Sequence, residues 1–185
     1  IWVIWINKAA KIVVDTLFNQ ITQMDFSSIT GKSIISACES ANQKLQEEGA
    51  KLSSKIGSTF AAVLILKDKV FAFWMGDSRV YQYNEHNQLL FQSEDHSLIN
   101  ELRLSRKLTT SEIRKCSLTG ETMENPPQIE ILQYSPKDKL ILCSDGLHKQ
   151  INIDAVLEMT QEDLLLYLAS VESKMNDNYS IIIIN

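Results

Sequence analysis

The apolar positions of this chain change period as the sequence proceeds. The opening IWVIWI is wholly apolar and rich in β-branched and aromatic residues, which predicts a buried strand. Ala9, Ala10, Val13, Val14, Leu17, Phe18 and Ile21 then recur at helical spacing. Lys11, Asp15 and Gln20 fall on the other side, so the segment reads as an amphipathic helix. After the polar break MDFSSITGKS a second helix is expected, with Ile34, Ile35, Cys38, Ala41 and Leu45 on one face. Beyond Gly49 and the polar KLSSKIGS, the texture becomes that of strands: TFAAVLIL, KVFAFWM, RVYQY and QLLFQ, separated by the turn signals KDK, GDS and NEHN. Their spacing suits antiparallel hairpins of one β layer. SLINELRLSRKL and TTSEIRKCS look helical, the second opening with Thr109 and Glu112 at capping-box spacing. QIEILQY, a turn at Pro136 and KLILCS predict a further hairpin, INIDAVLEMT and QEDLLLYLASVESK read as helices, and YSIIII closes as a buried strand.

Helices first, then a run of strands, then mixed elements favour an α+β sandwich over a Rossmann-type alternation. With no repeat, low-complexity tract or linker, residues 1–185 are expected to form a single domain, and 185 residues suffice for one sizeable core. Composition then removes several function classes. Hydrophobic content of 44% and charged content of 22% are those of an ordinary globular protein. A net charge of −5 without a basic stripe argues against nucleic acid as a partner. Cys38, Cys116 and Cys143 are odd in number, far apart and free of Cys-x-x-Cys spacing, so they read as small apolar residues of a reducing compartment. No apolar run approaches the roughly 20 residues of a membrane span. IWVIWI lacks the basic lead and cleavage site of a signal peptide. A cytoplasmic protein with no membrane partner is expected. Its first methionine is Met24, so the N-terminal portion is expected to be incomplete.

Candidate chemistry is sparse until the aspartates are considered. TGKS at Thr30–Ser33 resembles the end of a phosphate-binding loop, but Phe26 stands where that motif needs glycine and no strand precedes it. His86, His96 and His148 have no metal-type spacing, and there is no Gly-x-Ser-x-Gly elbow. SEDHSL reads as a helix N-cap, with Asp95 or Ser97 satisfying first-turn amides. Asp145, however, ends the apolar strand of KLILCSDGLH, and Asp177 opens the strand of NDNYSIIII. Aspartate is disfavoured in strands, so two such placements point to carboxylates that are wanted there. Gly146 lets another group approach the backbone closely. Oxygen-only ligands suit Mg²⁺ or Mn²⁺, hard ions that keep several waters. The plain alternative is a pair of N-caps or turn aspartates. Gly76, Asp77 and Ser78 in FWMGDSRVYQY are likewise either a tight turn or a third part of the same set.

Taken in order, IGSTFAAVLI, MGDSRVYQY, SEDHSL, LILCSDGL and DNYSIIII resemble the metal-dependent (PPM, type 2C) serine/threonine protein phosphatases, the compact bacterial members above all. The likeness runs from Lys8 to the C-terminus. It implies two antiparallel β-sheets packed face to face and flanked by α-helices, with a binuclear Mn²⁺/Mg²⁺ centre at one end. It maps the catalytic metal-binding aspartates onto Asp145 and Asp177, and an aspartate of a third, weaker metal onto Asp77. Gly146, Asn178, Gly76 and Ser78 then become supporting positions. The segment between EDHSL and SLTG corresponds to a variable flap, which makes Arg103, Arg106 and Arg114 candidate contacts for a phosphopeptide. The implied partners are phosphoserine and phosphothreonine proteins and a cognate Ser/Thr kinase, and the default state is a monomer.

Two acidic motifs of that family, Asn-Glu-Asp and Asp-Gly-x-Gly-Gly, are absent, because IWVIWI runs straight into Asn7 and Lys8. Two explanations stay open. Either the motifs belong to the protein but not to this sequence, or the chain is a catalytically impaired pseudophosphatase that serves as a binding or regulatory module. A third expectation, of another class, is a structural or interaction domain without metal.

Overall fold

The computed structural model describes residues 8–67, 69–96, 118, 123, 125–174 and 177–185, together with the backbone of residues 2–3. Its helices are α1 (Lys8–Thr22), α2 (Gly31–Leu52), α3 (Asp145–His148) and α4 (Gln161–Val171), with 3-10 turns at Ile153–Val156 and Glu172–Lys174. The strands are β1 (Trp2–Val3), β2 (Phe60–Leu66), β3 (Lys69–Met75), β4 (Arg79–Tyr83), β5 (Leu89–Gln92), β6 (Gln128–Gln133), β7 (Lys139–Cys143) and β8 (Ile181–Ile184). They form two four-stranded sheets in the orders β1-β2-β3-β6 and β5-β4-β7-β8, and the pairs are antiparallel.

The α+β sandwich expected from the sequence is therefore present, and its layering explains the apolar runs. A sheet covered on both faces has no solvent side, so its strands need not alternate. Phe60, Ala62 and Leu64 of β2, with Phe71, Phe73 and Met75 of β3, pack against Val13, Leu17, Ile34, Cys38 and Leu45 of α1 and α2. Ala61, Val63, Val70, Ala72 and Trp74 point the other way and meet Val80, Leu140 and Leu142 of the second sheet. Tyr81, Tyr83, Ile141 and Cys143 leave that sheet on its far side to join Leu147, Ile153, Val156 and Leu168. The order of layers is helix, sheet, sheet, helix. TGKS starts α2 as a capping box: Thr30 Oγ1 accepts from the Ser33 amide, and Ser33 Oγ accepts from the Thr30 amide.

Three expectations are corrected. The first concerns hairpins. β2–β3 and β4–β5 are paired neighbours, but β3 and β4 lie in different sheets, as do β6 and β7. Both connections are crossings between layers. Gly76 has φ 105°, a conformation that suits glycine, and turns the chain out of the first sheet. At the other crossing the buried Gln82 of β4 donates to Gln133 O at 2.7 Å and to Asp138 Oδ2 at 2.8 Å, and Asp138 also accepts from the Ser135 amide. That clasp carries the chain from β6 to β7. Secondly, Phe18 belongs to the helical stripe by spacing yet is 49% exposed, because Leu17 and Ile21 already fill the contact with α2. Thirdly, INIDAVLEMT yields only a 3-10 turn. Asn152 caps it by accepting from Asp154 N, and Lys139 Nζ takes the Leu157 carbonyl at 2.6 Å, which removes an acceptor from any helix continuing there. The helices expected over 97–108 and 109–117, Cys116 and most of the opening strand lie outside the described residues.

Burial raises both described thiols, Cys38 and Cys143, to about 12. Since the thiolate is the nucleophile, neither is expected to react with iodoacetamide at about pH 8 in the folded chain, and both should react in denaturant. Peptide-level mass spectrometry checks this, and labelling of either in the native state would contradict the packing.

Candidate functional site

The site grows from the first crossing. Between β3 and β4, Asp77 and Ser78 are each 6% exposed, and Ser78 Oγ lies 3.3 Å from Thr59 Oγ1. Opposite them, β7 runs through Ser144 into the single turn of α3, which begins at Asp145. Ser144 N donates to Ser180 O, and Ser180 N donates to Ser144 Oγ, so the β7–β8 seam continues past the strands. This draws the Asp177–Asn178 segment against α3. A Cβ built on Gly146 would stand 2.2 Å from the Asn178 carbonyl oxygen, a distance no side chain tolerates. The group that approaches Gly146 is thus the backbone of the second aspartate motif.

Lys149 joins the remaining parts. Its Nζ donates to Asp145 Oδ2 at 2.9 Å and to Asp77 Oδ2 at 3.0 Å, so one ammonium is shared by two carboxylates. Burial pulls the Lys149 pKa down, but the hydrogen bonds to Asp145 and Asp77 outweigh it and the net shift is upward. His148 Nε2 lies 2.8 Å from the Asp77 carbonyl oxygen, which fits a neutral ring donating from that nitrogen. Burial lowers its pKa, and the bond to Asp77 O only partly offsets the effect. Asp177 and Asn178 are exposed, and Asp177 Oδ1 accepts from the Asn178 amide at 2.8 Å. Asp77 and Asp145 are therefore brought together by side chains, whereas Asp177 is tied to Asp145 through the backbone contact at Gly146. Arg103, Arg106 and Arg114 lie outside the described residues.

The donor set has the chemistry of a hard-cation site. Lys149 acts as a stand-in cation, and its two bonds show that Asp77 and Asp145 converge on one positive charge. Among the described residues no three His, Cys, Asp or Glu side chains converge as metal ligands. An ion such as Mg²⁺, which commonly takes one or two carboxylates and keeps several waters, needs no more than the pair.

A second set of contacts, not visible in the hydrophobic pattern, fixes the Asp77 turn. Asp95 accepts from Arg79 Nε at 2.7 Å and from Arg79 Nη2 at 2.8 Å, while the helix start it was expected to cap lies outside the described residues. His96 N donates to Gly76 O, Gly76 N donates to His96 Nδ1, and Trp74 Nε1 donates to Glu94 O. Residues 94–96 thus strap the turn to the end of β3. Lys149 did leave a sequence signal, because it stands four residues after Asp145, the spacing of a helical ion pair.

A helix–sheet–sheet–helix sandwich with carboxylates gathered where β3 and β7 end and ahead of the start of β8 is the architecture of a PPM-type phosphatase domain. Residues 7–178 match the protein phosphatase 2C family, and the chain belongs to it. It is 29% identical over 138 residues to the protein phosphatase PhpP of Streptococcus pneumoniae, covering 69% of this chain and 55% of that protein. A Mycoplasma genitalium relative is 28% identical over 148 residues, 71% of this chain and 56% of its own length. The chain thus spans little more than half of these curated relatives. Among solved structures, the catalytic domain of the serine/threonine protein phosphatase PstP, in complex with two manganese ions, superposes with a TM-score of 0.76. The match covers 95% of this chain and 79% of PstP at 20% identity, which establishes the shared fold.

Proposed function

We propose that the protein is a metal-dependent serine/threonine phosphatase that hydrolyses phosphoserine and phosphothreonine in other proteins at a Mn²⁺ or Mg²⁺ centre. The observation that carries this reading is the convergence of Asp77 and Asp145 on one cation beside the Asp177–Asn178 segment. Membership of the phosphatase 2C family and the likeness to PhpP support it. Asp145 and Asp177 are the proposed catalytic metal ligands, and Asp77 the ligand of a further ion. When bound, such ions lower the pKa of a coordinated water and offset the charge of a phosphate. The chain's own contribution is placement. Gly146 lets the two aspartate loops close on each other, Ser144 ties them together, and Gly76 and Ser78 shape the turn that buries Asp77. Arg103, Arg106 and Arg114 are proposed contacts for the phosphopeptide, and a cognate kinase and a monomeric, cytoplasmic protein complete the reading. No helix among the described residues is long and apolar enough to cross a membrane.

The test is hydrolysis of a phosphothreonine peptide with and without Mn²⁺, by the protein and by its Asp145→Ala, Asp177→Ala double variant. The expected result is turnover that requires Mn²⁺ and drops to the uncatalysed level in the variant. A well-folded protein without turnover would sink the proposal and leave a binding role for the same fold.

A further inference from the structure

Lys149 is not required by the phosphatase reading, yet its head group occupies the centre of the site. The side chain is 48% exposed, whereas those of Asp77 and Asp145 are 8% and 20% exposed. Exposed lysines ordinarily turn the ammonium to water and lay the stem on the protein. Here the head group points inward, held from one side by the β3–β4 crossing and from the other by α3. Two carboxylates that share a site repel each other unless a cation lies between them. The ammonium supplies that cation and bridges the pair.

We infer that Lys149 is a built-in cation which occupies the Asp77–Asp145 pair and has to withdraw before a divalent ion can bind both carboxylates. The inference rests on the reading of these aspartates as metal ligands. The two cations exclude each other by geometry. Lys149 Nζ lies 2.9 and 3.0 Å from the oxygens, and a magnesium ion binding the same atoms would stand at roughly 2.0–2.1 Å. Withdrawal is easy, because the lysine stem is flexible and its outer side already faces solvent. The consequence is a threshold. Divalent affinity at this pair is reduced by the fraction of time the lysine is in place, so the site fills only at a higher ion concentration than its carboxylates alone would need. A metal-free protein also keeps Asp77 and Asp145 in register for the ion to enter.

The experiment is calorimetric titration of Mn²⁺ into the full chain, its Lys149→Met variant and its Lys149→Arg variant. Lys149→Met should bind Mn²⁺ tighter, on the order of tenfold, the effect of removing two partly exposed ion pairs that compete with the metal. Lys149→Arg keeps a cation in place and should resemble the parent. Adding Asp77→Asn to Lys149→Met should erase the gain, which localises it to the pair. Equal and measurable Mn²⁺ affinity in the parent and Lys149→Met overturns the inference but leaves the metal centre standing. Absence of Mn²⁺ binding in every variant overturns both. Should Lys149→Met not fold, Lys149→Gln makes the same comparison. Failure of both neutral variants to fold also overturns the inference, since Lys149 would then be a structural requirement and not a displaceable cation.

Discussion

Arg79→Met is expected to lower stability by about 2–3 kcal/mol, because it removes one partner of a largely buried ion pair. Arg79 opens β4, and its guanidinium grips Asp95 through two nitrogens, with side chains 24% and 19% exposed. The hydrogen bonds to Asp95 push the arginine pKa further up against the opposing cost of burial. Removing one partner of such a pair costs far more than breaking a surface pair, since the remaining carboxylate keeps its desolvation cost when the arginine leaves. Some water reaches this pair, so the cost should fall short of the roughly 3–5 kcal/mol of a fully buried one. The damage should also travel. Once Asp95 is released, residues 94–96 lose their anchor, and with them go the Trp74 Nε1 bond to Glu94 O and both His96 bonds to Gly76. Urea unfolding of Arg79→Met, Asp95→Asn and the double variant measures the pair directly. A coupling of about 1 kcal/mol or more is expected, well above the scatter of independent sites. A coupling near zero would mean that the strap over the Asp77 turn is held by something else.

The sequence revealed the layers better than the connections. Strands such as FAAVLIL and KVFAFWM are apolar on both faces, so the pattern announces full burial but cannot say which sheet a strand joins. That choice is made at Gly76 and at the Gln82–Asp138 clasp, where one glycine torsion and one buried amide send the chain across the sandwich. Asp145 stood out as a carboxylate that no strand would choose, and Asp77 as either a turn residue or a third part of the same set. Their meeting did not, because it depends on Lys149 reaching Asp77 Oδ2 from a residue 72 positions away. Asp95 shows the same limit from the other side. Local spacing offers it as a helix cap and gives no hint of Arg79, its ion-pair partner 16 residues earlier on a strand. Phe18 fits the helical period and still faces solvent, since a stripe gives direction but not the width of the surface it meets.

Gly146→Ala is the sharpest test of how the two aspartate loops are joined, and about 1–3 kcal/mol of destabilisation is expected from forced overpacking. The added Cβ would lie 2.2 Å from the Asn178 carbonyl oxygen and 2.9 Å from its carbon. Both are backbone atoms, so no rotamer change relieves the clash, and either α3 or the Asp177–Asn178 segment has to move. Gly146 is not among the positive-φ glycines, so the cost arises from the approach of the second loop and not from torsional strain. For a chain of this length the melting temperature should fall by about 3–10 °C. Gly31→Ala separates this effect from the general one of replacing glycine. Gly31 begins α2, and a Cβ there would meet only Ile129 Cδ1 at 3.8 Å, an ordinary contact. Alanine at that helical position should be neutral or stabilise by up to about 1 kcal/mol. The two variants make the same chemical change, yet only Gly146→Ala should lower the melting point. Equal melting points would mean that α3 and the Asp177 loop are not in close contact, leaving the Ser144–Ser180 hydrogen bonds to hold the two segments together.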